Sequence, residues 1–279
     1  MSVNDELGTR MKEYYETVSK TKLTRRTPVA IRLDGRSFHT FTRGFKKPFD
    51  EILIKSMQET AKYLCENIQG CVLAYTQSDE ITLILVDYQT LESSAWFDYQ
   101  VQKMCSIAAS MATMAFNHNF RTNAENYVSD RAFENEVEAP VSVEESKYCD
   151  TLWSAVKKGA MFDARVFNIP KEEVTNLVYW RQLDATRNSI QMVGQANFSA
   201  KELHGKTCND IQDMLFTEKG INWNDYPTHM KRGTCIVKKF VETRDEFDTP
   251  VVRKKWVIDL DIPIFKEEGR NYIDKLIKF

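Results

Sequence analysis

The chain has 279 residues, 42% of them apolar and 28% charged, which excludes disorder and suits one large domain or two that share a core. No run approaches the ~20 apolar residues that a membrane helix needs. The first twenty residues are charged throughout with no apolar stretch, so a cytoplasmic location is expected.

Net charge is −2, which argues neither for nor against a polyanionic partner. Its distribution says more. Basic residues gather in Lys20–Arg26, Arg36–Lys47, Lys231–Lys239 and Arg253–Lys255, and acid gathers in Glu125–Glu145. A locally basic face can bind phosphates on a neutral chain, although the same runs also suit plain solvated surface. The six cysteines form no C-x-x-C pair and the four histidines lie far apart, so a zinc site is not expected.

In chain order, PVAIRL (28–33) reads as a short strand, with Pro28 at the first position, where a missing N–H is tolerated. The polar DGRSFHTFTRGFKKPFD that follows reads as a loop. Leu53, Met57, Ala61, Leu64 and Ile68 recur at helical spacing and predict a helix over 51–68, stopped by Gly70. CVLAYT (71–76) and ITLILV (81–86) flank QSDE and predict a hairpin whose second strand is central. Phe97, Val101, Met104, Ala108, Met111 and Ala115 place a covering helix over 95–116, with Ala108 and Ala112 allowing close approach to the sheet.

Residues 120–158 are acidic and weakly periodic, through Glu125, Asp130, Glu134, Glu136, Glu138, Glu144 and Glu145, and are expected to be a surface insertion. FDARVFNIP (162–170) predicts a strand ended by Pro170, and 171–193 a helix. VKKFVE (237–242) and VVRKKWVIDL (251–260) predict a closing antiparallel pair. The order strand, helix, strand, strand, helix, strand predicts an α+β, ferredoxin-like (βαββαβ) core with appended helical and β elements at the C-terminal side.

That topology sets the first and third strands side by side, roughly 4.8 Å apart. Asp34, just after the first, then meets Asp79 and Glu80, just before the third. Buried alone, each carboxylate is costly. A pair of Mg²⁺ ions relieves that cost, and two such ions about 3.5–4 Å apart support phosphoryl transfer. The plain alternative is that DG and SDE are turn residues. Gly35 lets the backbone pass close to an ion or phosphate. RSFH offers consecutive N–H groups, with Arg36 and His39, as a cradle for a triphosphate, and Lys47 lies a short loop away.

RLDGRSFHTF (32–41), FKKP (45–48) and AYTQSDEITLIL (74–85) resemble the signature blocks of the tRNA-His guanylyltransferase family. FDARVFNIP (162–170), YWRQLDATRNS (179–189), HGKTCNDIQDMLFTEKGINWND (204–225) and MKRGT (230–234) extend the resemblance to about residues 28–240. The resemblance implies a polymerase-palm-like catalytic unit over 1–193, with the acidic insertion at about 120–158. A C-terminal extension over 194–279 would serve RNA binding or oligomerisation. It implies nucleotide addition to the 5′ end of tRNA in the 3′–5′ direction by a homotetramer, with GTP and ATP as substrates. Asp34 and Asp79 would bind Mg²⁺ by side chain and Gly35 by its carbonyl, with Glu80 as a supporting carboxylate. Asp34, Gly35, Arg36, Ser37, Phe38, His39, Lys47, Ser78 and Asp79 would contact the nucleotide. Asn188, Lys231 and Arg232 are the expected RNA contacts.

Eukaryotic members carry HINN where this chain has TRNS (186–189), so Thr186 replaces the histidine. That looks more like the bacterial and archaeal members associated with templated repair of 5′-truncated tRNA. A palm-type nucleotide cyclase is the nearest rival, but the GGDEF signature of its dinucleotide form is absent. A non-catalytic RNA-binding protein has no reason to keep Asp34 and Asp79 together.

Overall fold

The computed structural model describes residues 6–137, 142–244 and 248–278, the side chains of 132–137 excepted. Of the acidic stretch named above, Glu138 and the side chains of Glu134 and Glu136 fall outside the described residues. Strands β1 (Val29–Gly35), β2 (Cys71–Gln77), β3 (Glu80–Leu85), β4 (Phe162–Asn168), β5 (Thr234–Arg244) and β6 (Pro250–Asp259) form one antiparallel sheet in the order β4-β1-β3-β2-β5-β6. The helices, in chain order, are α1 (Glu6–Met11), α2 (Phe38–Phe41), α3 (Glu51–Asn67), α4 (Val101–Val137), α5 (Val143–Lys158), α6 (Lys171–Asn197), α7 (Ala200–Leu203), α8 (Cys208–Lys219), α9 (Thr228–Arg232) and α10 (Asn271–Ile277).

The order β4-β1-β3-β2 with α3 and α4 as crossovers is the expected ferredoxin-like arrangement. Alternation along β1 decides which helices cover which face. Val29, Ile31 and Leu33 pack toward Met57, Ala61 and Leu64 of α3 and Met104, Ala108 and Ala112 of α4. Ala30 and Ile84 turn to the opposite face, against Val174 and Val178 of α6 and Ile273 of α10. A smaller cluster under α8 joins Ile190 and Val193 of α6 to Ile211, Leu215 and Trp223.

The stripe on α3 follows the expected spacing, with Met57, Ala61, Leu64 and Ile68 buried and Leu53 partly so. Three expectations change, the first being that the stretch read as a loop after Leu33 holds the end of β1 and the helix α2. A 3₁₀ turn over Trp96–Tyr99 precedes the covering helix, which starts at Val101 and runs on to Val137. The acidic stretch is therefore helical across most of its length, with one side packed into the core and not wholly at the surface. Phe120, Ala124 and Tyr127 carry the apolar stripe of α4 onward, and Tyr148, Leu152 and Ala155 of α5 join the same core. Glu125, Asp130 and Glu144 are exposed and Glu145 is half-exposed. The closing pair is present, with Val237 opposite Val257, and β5 joins the sheet by pairing with β2.

Leu152 is fully buried. Leu152→Ala should lower unfolding free energy by about 2–5 kcal/mol in urea titration, the usual cost of such a core cavity. A change within about 0.5 kcal/mol, as at a surface position, would contradict the packing of α5 described here.

Candidate active site

The antiparallel register of β1 and β3 places Asp34 directly across from Glu80, and the Gly35 N–H donates to the Asp79 carbonyl at 3.1 Å. Asp34 and Asp79 thus meet at one sheet edge. Both are half-buried, and neither has an ion-pair partner among the described residues. Burial first, then the Glu80 and Asp163 carboxylates, push the Asp34 carboxyl above its ordinary value. Burial likewise raises Asp79, against the lowering effect of the Ser78 hydroxyl that donates to it at 3.0 Å.

The backbone around them is tightly shaped. Ser78, in the two-residue turn between β2 and β3, and Ser37, which precedes α2, take φ of 51° and 54°, a region non-glycine residues seldom occupy. A Cβ on Gly35 would sit 2.2 Å from the Phe38 ring, so only glycine fits there. The Phe38 ring itself is core, packed on Phe41, Phe116 and Phe162 at 5.1–5.5 Å between centroids. Its contribution toward a ligand is therefore backbone.

A cleft of about 510 Å³ opens beside the two aspartates, within the size range of small-molecule sites. Gly35, Ser37, Phe38, His39, Lys47, Ser78 and Asp79 line it, with Met192 and Gln195 of α6 on the far wall. Asp34 and Arg36 are not among its lining residues. The expected run of N–H groups is shortened, because the Arg36 N–H is already donated to the Met161 carbonyl at 2.8 Å. The first N–H groups of a helix have no acceptor within it, so Ser37, Phe38 and His39 at the start of α2 are the ones left for a cradle.

Glu80 is held on both sides. Arg32 donates to it at 3.0 Å and Arg181 donates to its other oxygen, while Arg181 also reaches Asp184 at 2.9 Å. Its carboxylate is an anchor between β1, β3 and α6, whereas Asp34 and Asp79 lack such partners.

Motif and spacing do not reveal that clamp, although Arg32 lies in RLDGRSFHTF and Arg181 in YWRQLDATRNS. Nor do they single out Asp163, which β4 sets across from Asp34 on the other side. Strand parity along FDARVFN was the available signal.

Among the expected RNA contacts, Asn188 and Arg232 are half-buried near each other's elements, since the Ser189 hydroxyl donates to the Lys231 carbonyl at 3.3 Å. Lys231 itself is a correction. Its side chain is buried, its ammonium donates to the Asn224 carbonyl, and it lies 5.5 Å over the Trp223 ring. Those contacts engage its ammonium within the fold.

No group of three or more His, Cys, Asp or Glu side chains is arranged to hold a metal among the described residues. Mg²⁺ does not require one. It is commonly held by one or two carboxylates with waters and substrate phosphates, a donor set that Asp34 and Asp79 suit. No helix among the described residues is long and apolar enough to cross a membrane.

Paired carboxylates at a strand edge, beside a cleft of small-molecule size on an antiparallel sheet, suit a nucleotidyltransferase type of site. The model of the family described as tRNAHis guanylyltransferase (Thg1) matches residues 8–170. A bacterial Thg1-like protein solved in complex with ATP superposes with a TM-score of 0.77 at 40% identity, covering 98% of this chain and 99% of that one. A bacterial Thg1-like protein in complex with GTP gives 0.75 at 36% identity, covering 99% of this chain and all of that one. The probable tRNA(His) guanylyltransferase of Dictyostelium discoideum is 27% identical over 89% of this chain and 90% of its own length. The chain belongs to the tRNAHis guanylyltransferase family, and so to the nucleotidyltransferases.

Both aspartates sit in a setting that favours their neutral forms. A carboxyl whose pKa is raised on folding weakens the fold above that pKa, and the loss is recovered as pH falls through it. Asp79→Asn should therefore raise Tm by a few degrees at pH 7 without divalent cations, and the gain should shrink toward pH 4. A lower Tm for the variant at pH 7 would contradict the electrostatics described here.

Proposed function

We propose that this protein adds nucleotides to the 5′ end of tRNA in the 3′–5′ direction, with the 1–193 segment as the catalytic unit. The observation that carries the reading is the convergence of Asp34 and Asp79, two carboxylates without cationic partners among the described residues, beside a cleft lined by Gly35, Ser37, Phe38, His39, Ser78 and Asp79 itself. Asp34 and Asp79, with the Gly35 carbonyl, would hold Mg²⁺. The metal supplies a lowered pKa for an attacking hydroxyl and neutralises charge building on phosphate.

The chain's own part is placement, which carries most of the catalysis in phosphoryl transfer. Ser37, Phe38 and His39 present N–H groups to a triphosphate, Lys47 adds charge, and Ser78 fixes the Asp79 carboxylate. A 5′-monophosphate on the RNA is first joined to a nucleotide, as an adenylate, with release of pyrophosphate. The 3′-hydroxyl of an incoming nucleoside triphosphate, commonly GTP, then attacks that phosphorus. A new P–O bond forms, the bond to AMP breaks, and the hydroxyl proton is lost to solvent. A 5′-triphosphate end would skip the first step and release pyrophosphate. No side-chain nucleophile is needed.

For the RNA, Asn188 and Arg232 remain the proposed contacts near the cleft. The basic runs at Lys238–Lys239 and Arg253–Lys255 pair across one ribbon, with Lys239 opposite Lys255 and Val241 opposite Arg253. This supports an RNA-facing role for the 194–279 extension, and the assembly is proposed to be a homotetramer. Thr186 donates to the Gln182 carbonyl at 2.9 Å within α6, so it offers little of what a histidine would there. Repair of 5′-truncated tRNA is therefore the favoured use.

Incubation with Mg²⁺, nucleoside triphosphates and a labelled 5′-truncated tRNA should lengthen the RNA at its 5′ end. Asp34→Ala or Asp79→Ala should reduce this by at least about 10²-fold. Failure of the unsubstituted protein to extend a truncated tRNA, or tRNA-His with either cytidine or adenosine as its discriminator base, would overturn the proposal.

Arg232→Glu should weaken tRNA binding and lower the slope of log K against log salt by about 1. An unchanged slope would remove Arg232 from the RNA surface.

A further inference from the structure

The segment between Phe45 and Asp50 carries both Lys46 and Lys47 along the cleft, but the Lys46 ammonium is turned to a set of partners outside it. The Lys46 ammonium lies 4.4 Å over the Tyr148 ring and 4.7 Å over the Tyr127 ring, the two rings standing nearly perpendicular at 5.4 Å. It donates to the Tyr127 hydroxyl and lies 3.6 Å from Glu145, which in turn accepts from the Tyr127 hydroxyl. Arg131 sits over the outer side of this cage, 5.4 Å from the Tyr127 ring and 3.7 Å from Glu145. The cage is built wholly from α4 and α5, the acidic stretch to which the reaction above assigns no part.

Asp50 is the knot beneath it. This buried carboxylate caps α3 by accepting from the Leu53 N–H at 3.0 Å, and it closes the 46–50 loop by accepting from the Lys46 N–H at 3.0 Å. The Tyr148 hydroxyl donates to the same Asp50 oxygen at 2.7 Å. Both the backbone and the ammonium of Lys46 are thus fixed by the arm. The charge of Lys46 is spent on Glu145 and two aromatic faces. Lys47, the next residue, has no ion-pair partner among the described residues and lines the cleft.

We propose that the α4–α5 arm is a positioning device for the nucleotide cleft. Tyr127, Tyr148 and Glu145 hold Lys46 so that the 46–50 loop presents Lys47 to the phosphates of the bound nucleotide. This rests on the reading of the cleft as the nucleoside triphosphate site. Tyr148 and Glu145 do not touch the ligand, and they act through the loop. Small misplacements of a binding group are enough to weaken its contribution.

The test measures binding of a non-hydrolysable ATP analogue with Mg²⁺ by calorimetry, together with KM and kcat for the nucleotide in the extension assay. Tyr148→Phe keeps the ring and loses the bond to Asp50. It should raise the analogue's Kd and the nucleotide KM about tenfold, with kcat within about twofold. Lys47→Ala should do the same, and adding Tyr148→Phe to Lys47→Ala should change little more, since the two act on one contact. Glu145→Gln, on the half-exposed side of the cage, should move KM in the same direction and stands in if Tyr148→Phe fails to fold.

If the unsubstituted protein does not bind the analogue, the reading of the cleft fails. If it binds, and Tyr148→Phe and Glu145→Gln leave Kd unchanged, or their effects add fully to that of Lys47→Ala, the cleft reading stands and the positioning role is overturned.

Discussion

The antiparallel pairing of β1 with β3 is the constraint on which the site depends. It sets Asp34 across from Glu80 and brings Asp79 against Gly35. A slip of one residue would turn Asp34 to the other face of the sheet and bury Arg32 among the apolar residues of α3 and α4. The clamp of Arg32 and Arg181 on Glu80 works against that slip, because it joins β1, β3 and α6 through one carboxylate. The same clamp engages both oxygens of Glu80, so the carboxylates left without an ion-pair partner at the sheet edge, among the described residues, are Asp34 and Asp79.

Much of this arrangement is legible in the amino-acid sequence. Periodicity locates α3 and the hairpin of β2 and β3, and the element order alone is enough to bring Asp34 and Asp79 together. The arm is not legible, for a definite reason. Phe120, Ala124 and Tyr127 continue the buried stripe of α4, but acids and amides crowd the positions between them, so charge outweighs spacing there. Lys231 escapes differently. A basic run reports charge and says nothing of what an individual ammonium touches, and here the partners are the Asn224 carbonyl and the Trp223 ring. Arg36 departs from expectation because β1 continues to Gly35, and the N–H that follows is used by Met161.

The local costs gather in one place. Two serines sit at positive φ, and two carboxylates lie in surroundings that favour their neutral forms. Each strained serine costs on the order of 1 kcal/mol. What offsets them lies directly beneath: Phe38, Phe41, Phe116, Phe120 and Phe162 form a continuous aromatic cluster joining α2, α4 and β4. α2 is only four residues long and could not hold its first-turn N–H groups in place by its own hydrogen bonds. Its rings in the core do so instead, which explains why Phe38 serves the cleft best by pointing away from it.

That division of labour fits the chemistry proposed. Phosphoryl transfer asks a protein for position and charge more than for a reactive side chain. Each group needed here comes from a different element, with Asp34 from β1, Asp79 from the turn before β3, the N–H groups from α2 and Lys47 from the loop before α3. Groups on separate elements hold a fixed geometry only if the elements are themselves fixed to one another. The aromatic cluster ties α2 to α4 and β4, the Glu80 clamp ties β1 and β3 to α6, and Asp50 ties the lysine loop to both α3 and α5. Through Tyr148 and Asp50 the arm is tied to the loop that carries Lys47, so a stretch that reads in the sequence as a solvated insertion braces one edge of the cleft without lining it.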